Sequence, residues 1–473
     1  MKVFLINPDY MIYPFPPLGL CYLASYVKKY LPYVDIKILD QLNSAEIIRK
    51  IKKEKPLIIG LSSTSPHHWK VKKLAMEIKK HSKAVLVLGG IHVTNLQSSF
   101  EKSPFDIGII GEGEITFKKF LESIYKNKGI NLNDLKGIKG FLLRQDNKVI
   151  TTGLGERVQN LDDIPIPARN LLNMDYYTLP SFSDPETFEP TGLLLTSRGC
   201  PYNCTFCSST KFWGNVIKFF SAERVVKEIE ILYYKYDYKK IMIYDDLFTM
   251  NKPRIEKIIE LLKKKNLLGK IEFGIMARGN CFNEDIVKLL KKMNVTMASF
   301  GIETGSKRML PKLKNNILLE DDINAIELCR KYDIKPLGAF MIGMPEEKEE
   351  DMIDTYTFIK TYLQGDEFVF AQMAPLPNTP VWFYSLKNNL ANKDMYEKEN
   401  RRFLEFNKKH LLSLEVSQDI FEKYYFMLES LKFKKRFSTK KMMTLRPKHV
   451  IKLFSPLFIK KLYNLGIKGV KQG

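Results

Sequence analysis

The sequence predicts an α/β protein: a Rossmann-like, doubly wound parallel sheet, then six βα units forming a partial (β/α)6 barrel, then a helical extension with a basic end. Three observations carry this. Two long series alternate short apolar runs with helix-period segments, which implies parallel strands with helices on their faces. Turn-forming and small residues cluster at the carboxyl ends of the runs, the ligand edge of such sheets. Beyond residue 392 the helical signal continues without strands, and the last 43 residues carry 13 Lys or Arg and no Asp or Glu. The boundaries are 1–130, a linker over 131–190, a barrel over 191–392, and an extension over 393–473.

In the first series, Val3–Ile6, Ile36–Leu39, Leu57–Leu61, Val85–Leu88 and Ile107–Ile110 read as buried strands. Leu18–Leu31, Ala45–Lys53, Trp69–Lys80 and Thr116–Tyr125 read as amphipathic helices between and after them. The strand ends carry Asn7-Pro8, Ser62-Ser63-Thr64-Ser65, Gly89-Gly90-Ile91-His92 and Gly111-Glu112-Gly113-Glu114. From about Gly137 the pattern breaks into short pieces, Gly140–Arg144 and Val149–Thr152. Asp162-Asp163-Ile164-Pro165-Ile166-Pro167 follows, kept extended by its prolines, so this stretch reads as a connector. The second series places strands at Leu193–Thr196, Ile241–Tyr244, Ile271–Met276, Thr296–Ile302, Pro336–Ile342 and Phe368–Ala374, with room for a helix in each interval.

The chain has 473 residues, 45% of them apolar, and a formal net charge of +22. That apolar content supplies a core to more than one domain and excludes disorder as the dominant state. No apolar run approaches the roughly 18–20 residues of a membrane span. The start reaches Asn7-Pro8-Asp9 before a signal-peptide core could complete, so a cytoplasmic protein is expected. Six cysteines are too few for a disulfide scaffold at this length.

Three of them, Cys200, Cys204 and Cys207, fall in Ser197-Arg198-Gly199-Cys200-Pro201-Tyr202-Asn203-Cys204-Thr205-Phe206-Cys207, directly after the first strand of the second series. Three thiolates on one loop can hold three corners of an iron-sulfur cube and leave the fourth iron open for chemistry. Structural zinc is the alternative, but it demands four closed ligands and no fourth Cys or His lies near. A redox thiol pair fits the spacing poorly.

This loop resembles that of the radical S-adenosylmethionine (SAM) superfamily, Cys-x3-Cys-x2-Cys with an aromatic before the last cysteine, here Phe206. The resemblance covers about 191–390. Tyr244-Asp245-Asp246-Leu247-Phe248-Thr249, Met276-Ala277-Arg278, Gly301-Ile302-Glu303-Thr304-Gly305-Ser306, Gly343-Met344-Pro345-Glu346 and Pro375-Leu376-Pro377-Asn378-Thr379-Pro380 look like the family's strand-end elements. It implies a 4Fe-4S cluster on Cys200, Cys204 and Cys207 whose free iron takes the amino and carboxylate groups of SAM. One-electron transfer from a donor such as a ferredoxin or flavodoxin then yields methionine and a 5′-deoxyadenosyl radical. Beside it, Glu303 is an acceptor for ribose hydroxyls, Arg278 a fork-shaped donor for the methionine carboxylate, and Ser306 a further polar contact. The bland readings are a helix cap for Glu303 and a surface ion pair for Arg278. Of Asp245 and Asp246, which point to opposite faces of a strand, one is expected to order the barrel mouth.

The first domain is similar to the cobalamin-binding domain that precedes the barrel in one subgroup of that superfamily. The residues that carry this are Pro16-Pro17-Leu18-Gly19-Leu20, Gly60-Leu61-Ser62-Ser63-Thr64, Gly89-Gly90-Ile91-His92, Gly111-Glu112-Gly113-Glu114 and the linker Leu161–Pro167. Small residues at strand ends let a corrin and its nucleotide tail approach the backbone, and the Ser62, Ser63 and Thr64 hydroxyls suit the tail's polar groups. No Asp-x-His pattern occurs, which leaves the lower cobalt ligand open. A dinucleotide site is the weaker alternative, because Gly111-Glu112-Gly113 lacks a third glycine and is acidic. His67, His68 and His81 are expected on helix faces or in solvent.

The implied activity is a cobalamin-dependent modification, by methylation, cyclisation or another rearrangement, of an unactivated carbon. The basic end, where Lys and Arg alternate with Phe, Leu and Ile, favours a lipid-like substrate and peripheral contact with anionic membrane over RNA or a solvated Lys-rich helix. Two rivals remain. An RNA-modifying methylthiotransferase would carry further cysteines in the first domain, which has only Cys21. A zinc-stabilised binding protein would contain zinc and no iron.

Overall fold

The computed structural model describes residues 1–8, 15–146, 148–180, 182, 188–363, 367–398 and 411–436. In the first sheet the strands β1 (Lys2–Ile6), β2 (Asp35–Leu39), β3 (Ile58–Ser62), β4 (Val85–Gly89) and β5 (Ile107–Ile109) run parallel in the order β2-β1-β3-β4-β5. Each lies within a residue or two of its sequence-based position, because a run buried on both faces tolerates few polar residues and is therefore conspicuous. The helices α1 (Leu18–Tyr30), α2 (Ser44–Glu54), α3 (His68–His81), α4 (Ile91–Asn95) and α5 (Gly113–Asn127) fill the connections. Leu20, Ala24 and Val27 of α1 join Phe117, Phe120 and Leu121 of α5 on one face of the sheet. Ile47 and Ile51 of α2 join Val71, Leu74 and Ile78 of α3 on the other. Asn43 and Glu46 close a reciprocal capping box that starts α2, with hydrogen bonds of 3.0 and 2.9 Å.

The stretch read as connector contributes more than a link. Phe141–Gln145 and Lys148–Thr151 form β6 and β7, which add antiparallel to β5 and extend the first sheet past residue 130. Their short runs lacked the long spacing of a crossover because an antiparallel hairpin needs none. The remainder of the connector docks on both domains. Ala168 donates its N–H to the Cys21 carbonyl, and Arg169, 1% exposed, meets Glu228 at 2.6 Å.

The second sheet is six-stranded and parallel throughout, in chain order Gly192–Leu194, Lys240–Ile243, Glu272–Ala277, Val295–Glu303, Lys335–Ile342 and Phe368–Gln372. Helices Ala222–Tyr236, Lys252–Lys264, Glu284–Lys292, Leu319–Lys331 and Glu349–Tyr362 lie between consecutive strands. The extension contributes the helix Gln418–Arg436. The rest of the basic stretch, from Phe437 onward, lies outside the described residues.

Candidate functional site

The carboxyl ends of both sheets face one another across a cavity of about 310 Å³. Leu20, Tyr22, Ser62, Gly89, Gly90, Gly111, Glu112, Gly113 and Phe117 wall it from the first domain; Leu195, Arg198, Phe212, Trp213, Tyr244 and Asp246 wall it from the second. Gly90 is positioned by necessity. Its φ is +98°, and a Cβ there would lie 2.7 Å from the Ser63 carbonyl oxygen.

Six of the nine first-domain residues chosen from sequence line this cavity: Ser62, Gly89, Gly90, Gly111, Glu112 and Gly113. Ser63, Thr64 and His92 are not among its lining residues. Ser63 is buried with its hydroxyl 3.0 Å from His68 Nδ1, and Thr64 pairs with His67 Nδ1 at 3.1 Å. His92 is fully buried, its Nδ1 3.0 Å from Ser65 Oγ. His67 and His68 are buried as well, His67 ending a short helical turn and His68 starting α3, while His81 is exposed at the other end of α3. The histidines are interior because the loops after β3 and β4 fold back on each other, a tertiary contact with no periodic signal.

Arg198, quoted in the cysteine motif but given no role from sequence, closes the seam between the domains. Its guanidinium donates to Glu112 Oε2 at 2.9 Å and Glu114 Oε1 at 2.7 Å, and all three side chains are at most 8% exposed. Arg157 adds a second cation 3.5 Å from Glu112. Burial pushes the Glu112 carboxyl above its usual range, and Arg198 opposes that shift.

Cys200, Cys204 and Cys207 are unoxidised and half-buried on the loop between the short strand Ser197–Arg198 and the helix Ser209–Trp213. Asp245, 1% exposed, orders the approach by accepting from Thr196 N at 2.6 Å, Ser197 N at 3.1 Å and Ser197 Oγ at 2.7 Å. Asp246 accepts from Ser209 Oγ at 2.6 Å instead; both aspartates follow the strand Lys240–Ile243 rather than lying within it. Burial raises the Cys200 thiol and pushes Cys207 up to about 12, so these thiols become thiolates only when a cationic group meets them. Among the described residues, the one trio of His, Cys, Asp or Glu ligand atoms within 4.8 Å of one another lies elsewhere. Three thiols on one loop suit three corners of a polynuclear cluster that leaves one iron open.

Arg278 reaches this loop. It stacks 3.9 Å from the Tyr202 ring centroid, bonds Asn280 Oδ1 at 3.0 Å and the Asn315 carbonyl, and places Nη1 3.5 Å from Cys204 Sγ. Glu303 ends its strand at φ +71°. Burial pushes it up to about 7, against the pull of Lys314 and Arg278. Asp322, which sequence reasoning missed because Leu319-Glu320-Asp321-Asp322 reads as the acidic first turn of a helix, is also pushed up to about 7 by burial. The Gly279 N–H faces its carboxylate and partly opposes that shift. Arg278, Lys314, Glu303 and Asp322 thus form a buried, mutually interacting charged group, with acceptors that fit the hydroxyls of a nucleoside. Ser306 serves differently: its hydroxyl donates to Asp351 Oδ1 at 2.6 Å and accepts from the N–H groups of Arg308 and Met309, so it is taken up within the fold.

The raised carboxyls have a measurable consequence. Glu303 and Asp322 hold protons more tightly in the folded chain than unfolded, where they titrate at about 4. Their stabilising contribution is complete below about pH 4 and is lost as pH rises to about 7. Asp322→Asn is expected to flatten the fall in melting temperature across that window, measured on protein without SAM. An identical pH slope in the two proteins would contradict the assignment.

A glycine-rimmed, doubly wound domain facing a barrel with a three-thiolate loop defines a cobalamin-binding, iron-sulfur class of enzyme. The model described as the radical SAM superfamily matches residues 194–359, and the B12 binding domain model matches residues 11–121. The chain is 36% identical over 384 residues to an uncharacterized methyltransferase of Pyrococcus horikoshii, covering 79% of each chain. It is 24% identical to the anaerobic magnesium-protoporphyrin IX monomethyl ester cyclase of Cereibacter sphaeroides over 85% of this chain and 66% of that one. The cobalamin-dependent SAM radical enzyme OxsB, solved with aqua-cobalamin and SAM bound, shares the fold with a TM-score of 0.71 at 19% identity, over 98% of this chain and 70% of its own. The protein belongs to the radical SAM superfamily, among its members with a B12-binding domain. It is an enzyme, with a 4Fe-4S cluster, SAM and cobalamin as its cofactors.

Proposed function

We propose that the enzyme methylates, cyclises or otherwise modifies an unactivated carbon of an apolar or lipid-like small molecule bound between its two domains. One observation carries this reading: a single cavity has the cobalamin-domain strand ends on one side and the cysteine-loop neighbourhood on the other, with Tyr22, Phe117, Phe212, Trp213 and Leu195 among its walls. Aromatic and aliphatic walls favour an apolar guest, which needs few polar partners. The relation to a cyclase named for a porphyrin ester agrees with that preference. When bound, the cluster and cobalamin supply one-electron cleavage of SAM and transfer of a methyl group.

The chain's own residues do the positioning. Cys200, Cys204 and Cys207 hold the iron; Arg278 orients the methionine carboxylate, and Glu303 and Asp322 take the ribose hydroxyls. The glycines at 89, 90, 111 and 113, with Ser62, let the corrin approach the backbone. A ferredoxin or flavodoxin delivers the electron. The decisive experiment supplies reconstituted, anaerobic enzyme with methyl-labelled SAM and a cell extract fractionated by polarity. The label is expected in the organic-soluble fraction; label in RNA or in a water-soluble product other than SAM and methionine would reject the apolar substrate, and label left in methionine alone would reject methylation.

A cytoplasmic enzyme touching the inner face of the membrane is part of the same proposal. No described helix is long and apolar enough to cross a membrane, and the basic segment supplies an attraction of about 1 kcal/mol per Lys or Arg near an anionic surface. Removing residues 437–473 is expected to weaken sedimentation with phosphatidylserine vesicles while sparing SAM cleavage. Equal binding by the shortened chain would rule out that contact.

A further inference from the structure

The trio that does converge within 4.8 Å is His68, His92 and Glu397. Three distant segments bring it together: the start of α3, the start of α4, and the stretch after the helix Pro380–Lys387 that follows the barrel. His68 Nε2 lies 3.5 Å from Glu397 Oε1, and the two imidazole rings lie 4.0 Å apart between centroids. Both histidines are 0% exposed. The trio is separate from the inter-domain cavity, which none of its members lines.

The surroundings prepare these side chains as ligands. Each imidazole is held at Nδ1 by a serine hydroxyl 3.0 Å away, Ser63 for His68 and Ser65 for His92. A metal-bound histidine is held in this manner, the outer nitrogen hydrogen-bonded and the inner one left to ligate. His92 Nε2 has no hydrogen-bond partner among the described residues, and His68 Nε2 faces the Glu397 carboxylate at 3.5 Å. A buried nitrogen such as His92 Nε2 costs about 1–3 kcal/mol if nothing meets it. Burial, reinforced by the neighbouring ring of His68, holds His92 well below its usual pKa, which keeps the imidazole neutral. Although burial raises Glu397, its contacts to His68 and Lys72 keep the carboxyl below the usual range, and Lys72 Nζ meets the second oxygen at 2.5 Å. An apolar shell closes over the group: Tyr396 packs edge-on against His92 at 5.9 Å, and Trp382 stacks on Tyr396.

We propose that His68, His92 and Glu397 form a divalent zinc site that clasps the segment following the barrel onto the cobalamin-binding domain. Two imidazole nitrogens and one carboxylate oxygen suit zinc, whereas magnesium or calcium would require more oxygens. With bonds of about 2.0–2.1 Å, tetrahedral ligands stand roughly 3.4 Å apart; His68 and Glu397 are 3.5 Å apart, and all three ligand atoms lie within 4.8 Å of one another. The site's three protein ligands leave the fourth position of a tetrahedral zinc to a water molecule, and its part in the fold is that of a clasp. It ties together elements that are remote in sequence and leaves the iron chemistry to the cysteines.

The test uses full-length, cluster-reconstituted protein, exposed anaerobically to one equivalent of zinc chloride and desalted. Metal analysis is expected to find about one zinc per chain, and the zinc absorption edge a nitrogen and oxygen shell with imidazole scattering. A Cys200→Ala, Cys204→Ala, Cys207→Ala triple variant should keep that zinc. Glu397→Gln should weaken zinc binding by more than about a hundredfold, beyond the 10–100-fold of an outer-shell change, and abolish the rise in melting temperature that zinc gives the unaltered chain. His92→Gln should do the same; Glu397, at the rim of the group, keeps the test valid if a buried-histidine variant does not fold. A chain that retains no zinc overturns the proposal. So does zinc with sulfur ligands, or zinc lost from the cysteine variant and kept by Glu397→Gln.

Discussion

Cys204→Ala abolishes reductive cleavage of SAM: under dithionite, release of methionine and 5′-deoxyadenosine falls to background, and iron content drops with it. The expectation follows from the loop. Three thiols are the complete set offered there, and two cannot hold a cluster that keeps one iron open. Cys204 is also the sulfur that faces Arg278, so its loss removes a cluster ligand and the contact that aligns the guanidinium. The side chain is half-buried on a loop and small, so circular dichroism should show an intact fold. Undiminished cleavage by the variant would refute the cluster assignment.

Arg198→Met is expected to produce the largest loss of stability and to loosen the two domains from each other. Arg198 lies between two buried carboxylates and over the rings of Tyr22 and Trp213, at 5.3 and 5.6 Å. Methionine replaces the volume but leaves Glu112 and Glu114 facing each other without their principal cation. Breaking a buried ion pair from one side costs about 3–5 kcal/mol, mostly the desolvated charge left behind. Calorimetry should therefore show a melting temperature several degrees lower, with weakened retention of added cobalamin, since Glu112 is part of the cavity wall. Combining Arg198→Met with Glu112→Gln and Glu114→Gln should recover much of the stability, because the stranded charges are removed. If Arg198→Met melts like the unaltered protein, the three groups do not form a coupled buried network.

Local chemistry was legible where it is local in the chain. Cys200, Cys204 and Cys207 share eight positions, and Gly89-Gly90 and Gly111-Glu112-Gly113 end runs such as Val85–Leu88, so motif and strand end identify each other. The hairpin over 141–151 reads as a connector in the sequence because its strands are short and antiparallel, without the spacing that marks a βα unit. Asp322 was hidden by a position that a helix start explains equally well. Ser306 had the opposite fate: its motif drew attention, whereas its hydroxyl bonds only the fold around it.

The sequence by itself determined the two parallel α/β domains, the order of their strands along the chain, the thiol loop and the glycine-rich strand ends. These follow from periodicity, spacing and residue chemistry, which need no knowledge of distant contacts. Only the tertiary structure decided that the two sheet edges share one cavity, that Arg198 bridges Glu112 and Glu114, and that His68, His92 and Glu397 meet. Each of those depends on docking segments tens to hundreds of residues apart, and no local pattern encodes such a contact because burial of their charges and imidazoles becomes favourable only once the partners are in place.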